Sequence, residues 1–498
     1  MEDRVDNGKE GRKQQWYDVV IVGAGISGIG AAYWLQQKCP QKQFTILEAR
    51  ATTGGTWDLF RYPGVRSDSD MFTFGYRFKP WKAPKSLSDG ASILSYLQET
   101  IEENGIGQKI RYIHKLLHAR WSSEEACWTL EVASPEGPYI FRCSFLYMCS
   151  GYYNYQQAHR PLFNGEENYK GSVVVPQFWP QQLDYTGKKV VIVGSGATAV
   201  TLVPAMAQTA AHVTMLQRSP TYIMSLPNKD GFYRVLSKLL PPSFAFKLTR
   251  WKNLFLSMML FNLSRLFPQF VKGLILKGVA KNLPPGFDVE KHFKPTYNPW
   301  DQRLCFVPDG DLFIAIRSGK ASVITDQIER FTENGLRLAS GAEVEAEVVV
   351  MATGLQVQLL GGAKITVDGN AINTRDVMVY KGMLVSDVPN FALAFGYTNA
   401  SWTLKVDLTA NYICKLLNYM DKKGFSWVVP RRQTGVTAEP FLDFDAGYIK
   451  RAAHLLPKQG SQRPWRVYQN YFLDMLITRF GAIADGVLQF HSGKEKRM

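Results

Sequence analysis

The stretch Asp18-Val-Val-Ile-Val-Gly-Ala-Gly-Ile-Ser-Gly28 restricts this chain more than any other part of it. Val19 to Val22 show no polar alternation, so they fit a strand buried on both faces of a parallel sheet. Gly23 permits the tight turn that follows. Gly25 lets backbone approach a pyrophosphate, and Gly28 lets the next helix pack closely on the strand. The alanine-rich run Ile29 to Leu35 continues as that helix, whose positive N-terminal end suits phosphate. A second strand, Phe44-Thr-Ile-Leu-Glu48, ends on an acid about 20 residues past Gly28, which completes a dinucleotide fingerprint. Glu48 can accept both ribose hydroxyl hydrogens, and its charge disfavours a 2′-phosphate. This site is therefore expected to take FAD or NAD rather than NADP.

A second copy begins at Lys189-Val-Val-Ile-Val-Gly-Ser-Gly-Ala-Thr-Ala199. Gly194, Ser195, Gly196, Ala197, Thr198 and Val200 form its turn and helix start, and Ala199 stands at the third glycine position, a permitted variant. Its second strand, His212 to Gln217, ends on Arg218-Ser219 instead of an acid. A guanidinium and a hydroxyl suit a ribose 2′-phosphate, so this site is expected to prefer NADPH. Two nucleotide sites with opposite ribose chemistry imply electron transfer from NADPH to a flavin.

At 498 residues the chain is too long for a single core. The fold class expected is α/β: two dinucleotide-binding, Rossmann-like domains, the FAD domain discontinuous, with a helical insert in the NADPH domain. Phe145 to Gly151 and Val348 to Gly354 are apolar strands ending in a small residue and glycine, and such strands mark passages between nucleotide domains. The expected boundaries are 1–16 for a disordered lead-in, 17–156 for the first FAD segment, 157–344 for the NADPH domain, and 345–498 for the second FAD segment and C-terminus.

The insert, 231–296, holds an unusual stretch. Gly231 to Phe287 contains no Asp or Glu and nine Lys/Arg, a large share of the net charge of +15. Trp251 to Phe267 looks helical and almost wholly apolar, yet its uncharged part from Asn253 to Ser264 is too short to span a bilayer. Three readings stand open: a substrate-cavity wall or lid, an interfacial helix giving peripheral membrane contact through 231–287, and a plain buried helix pair. No nucleic-acid-binding signature accompanies the basic residues. The six cysteines are scattered without a CxxC pair, which points to reduced thiols in a reducing, cytoplasmic compartment, and argues against a metal site. Oligomeric state is left open.

Gly54-Gly-Thr-Trp-Asp-Leu-Phe-Arg-Tyr-Pro-Gly-Val-Arg-Ser-Asp68 resembles, at every constrained position, the long signature of Baeyer–Villiger monooxygenases. A second segment, Tyr297 to Phe313, places Arg303 where that family has its catalytic arginine. The chain from Tyr17 to about Ile477 is similar to the ethionamide-activating branch of these class B flavoprotein monooxygenases. Shared stretches include the two fingerprints, Cys149-Ser-Gly-Tyr-Tyr-Asn-Tyr155, the Arg303 segment and Pro457-Lys-Gln-Gly460, and Phe395 to Lys405 is similar to segments that close over the flavin in these enzymes. The resemblance implies that Gly55, Thr56 and Trp57 contact the flavin, and that Asp68 lies at its reactive face beside Arg303. By the same carry-over, Ser27, Glu48, Asp58, Leu59 and Leu116 join the FAD site, while Arg66, Ser67, Asp68, Arg218 and Ser219 join the NADP site. The implied reaction uses O2 and NADPH to insert one oxygen into a small organic substrate through a C4a-(hydro)peroxyflavin. Ketones would become esters, and thioethers or thioamides would be oxidised at sulfur.

The sequence departs from the family at two places. Gln302 replaces a lysine that helps grip the NADPH phosphate in many relatives. Val175 occupies the histidine position of the short fingerprint, here Tyr169-Lys-Gly-Ser-Val-Val-Val-Pro-Gln-Phe-Trp-Pro180. Two other readings therefore stay open: an N- or S-oxygenating flavin monooxygenase, and an uncoupled NADPH oxidase or FAD/NADP-binding protein.

Overall fold

The β-branched runs form the parallel centres of two separate sheets. In the computed structural model, which describes residues 14–83, 85–442 and 445–492, Gln14–Val22 lies between Phe44–Leu47 and Gly137–Met148, all parallel. Val19 aligns with both Phe44 and Phe145. Val19, Val20 and Ile21 are fully buried, each contributing roughly 1.5–3 kcal/mol from removing its side chain from water. This larger sheet has eleven strands; Lys115–Ser122 and Cys127–Ser134 extend it as a meander, and Lys364–Val367 and Phe391–Leu393 join it from the C-terminal third.

The second sheet is wholly parallel, in the order Ala321–Thr325, His212–Gln217, Lys189–Val193, Val348–Met351, Ser172–Val174. Val348–Met351 thus belongs to the second sheet, and the boundary expected at 344 moves past Met351. The reason is the register: Val348 to Met351 pair with Val190 to Val193 on one side, and Val348 to Val350 pair with Ser172 to Val174 on the other. The expected lead-in is also too long by three residues. Residues 1–13 lie outside the described residues, but Gln14 to Trp16 already pair with Ile140 to Arg142.

The chain returns to the first domain with a long helix, Trp402–Lys423, that packs on the first fingerprint helix, Ile26–Lys38. Asn418 Nδ2 donates to the Lys38 carbonyl (2.8 Å), and Cys39 Sγ approaches the Cys414 carbonyl (3.6 Å). All six cysteines are buried and unpaired.

The insert consists of helices Gly231–Leu239, Pro242–Leu266, Pro268–Asn282 and Val289–Phe293. Pro268 opens the third of these, at a position where its missing N–H costs nothing, and the helix axis turns by 118° between Leu266 and Pro268. No single helix among the described residues is long and apolar enough to cross a membrane. Arg250, 5% exposed, ties the insert down: its Nη1 donates to the carbonyls of Phe72 (2.6 Å) and Gly75 (2.8 Å).

Candidate active site

The two fingerprints open onto one cleft of about 1120 Å³ between the sheets. At the first, Gly23 takes φ +104°, and a Cβ there would stand 2.7 Å from the Cys149 carbonyl oxygen. A Cβ on Gly28 would meet the Gly23 carbonyl at 1.9 Å, so only glycine lets the helix sit this close to the turn. The second fingerprint repeats the arrangement, with Gly194 at φ +140° against the Ala352 carbonyl. Each following helix starts on a glycine, Gly25 or Gly196, with no side chain capping its first turn. The uncapped N–H groups at the cleft are anion sites, and two dinucleotide pyrophosphates fit them.

Glu48 directly follows the strand Phe44–Leu47 and is 6% exposed. Its carboxylate accepts from the backbone N–H of Ala24 (2.8 Å) and of Arg50 (2.9 Å). Burial raises its pKa above the usual glutamate value, and these two N–H groups and the Arg50 charge only partly oppose that. The acid therefore braces the glycine turn while lining the cleft. Ser27 Oγ accepts from Trp402 Nε1 (2.9 Å), and Thr56 Oγ1 lies 3.5 Å from the Tyr155 hydroxyl. Gly25, Gly55, Trp57, Leu59 and Leu116 line the same region.

Three expected site residues do not reach the cleft wall. Gly28 and Ala199 sit behind the turns, where close helix–strand packing needs them small. Asp58 is turned away into a cluster with Arg50 (2.5 Å), Arg61 (2.6 Å) and Thr52 (2.6 Å). That cluster lowers its pKa against the opposing effect of burial, so Asp58 holds the loop in its charged form and offers the cleft nothing.

Across the cleft, Gly194, Ser195, Gly196, Ala197, Thr198, Val200, Arg218 and Ser219 line the wall. Ser195 Oγ donates to the Ser219 carbonyl (2.9 Å), which fixes the turn beside Arg218. Arg218 is exposed, without an ion pair among the described residues. Arg451, on the short helix Gly447–Ala452, faces the same part of the cleft, and partial desolvation together with the like charge of Arg218 lowers its pKa. Two cations converging on one region suit a phosphate.

The loop holding Arg66, Ser67 and Asp68 meets the Arg303 segment at the centre. Arg303 Nε donates to Asp68 Oδ2 (2.8 Å) and Nη2 to Asp68 Oδ1 (2.6 Å), a two-bond fork with the guanidinium open toward the cleft. Surrounding protein opposes the charge on Arg303, but Asp68 outweighs it, so the guanidinium is held above its ordinary pKa and stays charged. Arg66 makes its own fork to Asp311 (2.5 and 3.3 Å) and leaves Nε buried without a partner. Ser67 is buried, and its Oγ donates to the Ser69 carbonyl.

Sequence reasoning did not single out a tyrosine cluster beside Arg303. The Tyr152 and Tyr153 hydroxyls are 2.9 Å apart, and Tyr448 lines the cleft beside them. Desolvation raises all three pKa values, which keeps the hydroxyls protonated as donors. Tyr152 and Tyr153 fall in a stretch shared with the family, whereas Tyr448 and Arg451 sit three apart on a helix that carries no motif. Val175 does not line the cleft. It packs half-buried against an apolar cluster that includes Val191, Leu216, Phe331 and Val349.

No residue of 231–287 lines the cleft, which overturns the reading of the insert as a cavity wall. Its buried side chains, Phe246, Leu254, Val271 and Ile275 among them, pack on the loops behind the cleft and on the second core.

A family model for flavin-binding monooxygenase-like proteins matches residues 91–398, and one for an NAD(P)-binding Rossmann-like domain matches 21–82. The chain is 52% identical over 476 residues to the FAD-containing monooxygenase EthA of Mycolicibacterium smegmatis, covering 95% of this chain and 97% of that one. The chain belongs to the flavin-binding monooxygenase-like family. This flavin monooxygenase is also 51% identical over 477 residues to the probable FAD-binding monooxygenase AlmA of Acinetobacter baylyi, covering 95% and 96%. Its fold matches an oxidized steroid monooxygenase bound to NADP, with TM-score 0.76 at 18% identity, over 96% of this chain and all of the other. A cyclohexanone monooxygenase with epsilon-caprolactone bound matches at TM-score 0.73 and 17% identity, over 95% and 99%. The monooxygenase thus combines two nucleotide-type sheets, each with a parallel centre, around one cleft, as the alternating strand–glycine–helix pattern required.

Proposed function

We propose that this flavin monooxygenase binds FAD at the first fingerprint and NADPH at the second, and inserts one atom of O2 into a ketone to give an ester. Thioethers and thioamides would be oxidised at sulfur in the same site. Bound FAD would supply the redox chemistry, passing electrons from NADPH to O2 and delivering the oxygen. The chain's residues have separable tasks. Glu48 accepts the ribose hydroxyls of FAD, and the uncapped turn at Gly25 takes its pyrophosphate. Arg218 and Ser219, with Arg451 beside them, hold the 2′-phosphate of NADPH in place of the family lysine that Gln302 replaces. Arg303 keeps a fixed positive charge beside the oxygen that becomes negative during transfer. Asp68 aims that guanidinium, and Tyr152 and Tyr448 offer neutral hydroxyl donors next to it.

The observation that carries the reading is the Asp68–Arg303 fork facing a cleft shared by both fingerprints. In Arg303→Ala, flavin binding and reduction by NADPH are expected to persist while ester formation stops. Continued ester formation in that variant refutes the assignment.

A second reading, an uncoupled NADPH oxidase, rests on Val175. Val175 itself does not line the cleft and packs against an apolar cluster, which favours a structural role for this position and leaves the Arg303 site whole. An N- or S-oxygenating enzyme differs in yielding no ester from any ketone. We further place the enzyme in a reducing cytoplasm, in keeping with six buried, unpaired cysteines, with peripheral membrane contact through 231–287.

A further inference from the structure

The insert is apolar on its outer side as well as its inner one. More than half of the large apolar side chains exposed among the described residues lie between Phe232 and Leu274. On the helix Pro242–Leu266, Phe244, Leu248, Trp251, Phe255, Met259 and Leu266 follow one another at three-, four- or seven-residue spacing, so they form one stripe facing solvent. A helix on the surface of a soluble protein carries polar residues there. The helix Gly231–Leu239 has no buried residue at all: Phe232, Val235 and Leu239 share one exposed face, with Arg234 and Lys238 off it. Trp251 stacks on Phe472 (6.1 Å between centroids), which joins the stripe to the exposed Leu476 and Phe480 of the helix Tyr471–Phe480. A contiguous apolar surface of this kind marks an interface.

Charge identifies what covers it. Residues 231–287 contain no acid. Lys252 and Arg265 are paired with Asp230 and Asp301 outside that stretch, whereas Arg234, Lys238, Lys247, Lys277 and Lys281 have no ion pair among the described residues. An apolar stripe flanked by unpaired cations is complementary to an anionic lipid headgroup layer over acyl chains. The 118° bend between the two longer helices keeps them from forming one straight span. Arg250, bonded to the carbonyls of Phe72 and Gly75, and Asn253, bonded to Asp70 (2.9 Å), hold the stripe rigidly on the body of the enzyme.

We infer that residues 231–282 are a monotopic docking face for an anionic bilayer, with the Phe244–Leu266 stripe entering the acyl boundary and the unpaired lysines and arginines meeting lipid phosphates. This rests on the peripheral membrane contact proposed above and is independent of which substrate is oxidised. The test is co-sedimentation of the flavin-loaded enzyme with vesicles of phosphatidylcholine alone and of phosphatidylcholine mixed with phosphatidylglycerol. Binding is expected to the mixed vesicles, weakening as salt rises. The double variant Phe255→Ser, Leu266→Ser is expected to bind roughly a hundredfold more weakly, with flavin absorbance and NADPH oxidation unchanged. Lys277→Glu with Lys281→Glu is expected to lose the preference for phosphatidylglycerol. Equal binding to both vesicles, or wild-type binding by the double serine variant, overturns the proposal. So does a dimer in sedimentation velocity that the serine variant dissociates while neither protein binds vesicles, since a second copy then covers the face.

Discussion

Arg303 and Asp68, 235 residues apart in sequence, are joined by two hydrogen bonds of 2.8 and 2.6 Å. The fork fixes both the position and the direction of a guanidinium whose charge the same carboxylate secures. Asp68→Asn keeps the shape but removes that charge and one acceptor. Turnover to product is expected to fall about a hundredfold, through a misaimed Arg303, with flavin content unchanged. Steady-state product formation against flavin absorbance checks this, and an unaltered rate would make the fork structural only.

Glu48 gives a pH dependence with a definite sign. Its pKa is raised by burial, so protonation on acidification begins above the ordinary glutamate value of 4.5. For the flavin-free fold, keeping this acid ionised is a cost, and that cost is relieved as pH falls through the raised value. For FAD the effect is opposite, because the ionised carboxylate is the better acceptor for ribose hydroxyls. Flavin retention is expected to decline as pH falls, from a higher pH than an exposed glutamate would give. Glu48→Gln is expected to hold flavin weakly at every pH; fluorescence of released FAD measures both.

Arg218 and Arg451 converge on one region of the cleft and lack acidic partners among the described residues. Arg218→Ala is expected to raise KM for NADPH about ten- to a hundredfold, with KM for NADH little changed. Arg451→Ala is expected to act in the same direction and more weakly. Equal effects on both coenzymes would place these residues away from the 2′-phosphate.

Val175→His restores the residue that the family carries at this position, but beside an apolar cluster. Val175 packs half-buried against that cluster, so an imidazole in its place is expected to cost about 1–3 kcal/mol. A lower Tm without better coupling of NADPH to product is the expected outcome. A rise in coupling would show that the valine limits turnover.

Both fingerprints were legible in the sequence because each step obeys a local rule: an apolar run for a buried strand, glycines for a turn, and a residue type suited to each ribose. The Asp68–Arg303 meeting came only through resemblance, since no local pattern ties residues so distant. Val348 to Met351 read correctly as a buried strand, but an apolar run does not say which sheet it joins; pairing with Val190 to Val193 decided that. Asp58 was carried into the flavin site with its neighbours, although its side chain answers to Arg50 and Arg61. Tyr448 and Arg451 left no signal, because a six-residue helix in an otherwise irregular segment shows no period. For the insert, composition supplied the absence of acids, but only the exposure of Phe244, Phe255 and Leu266 separated an outward apolar face from a buried one.

The central claim is oxygen transfer from O2 to a small organic substrate in the cleft that Arg303 faces. The most direct measurement is the ratio of oxygenated product and hydrogen peroxide to NADPH consumed by the purified yellow protein, with a methyl ketone and with a thioether. Ester and sulfoxide are expected in step with NADPH, with little peroxide. Peroxide in step with NADPH, with no oxygenated product from either substrate, would contradict it.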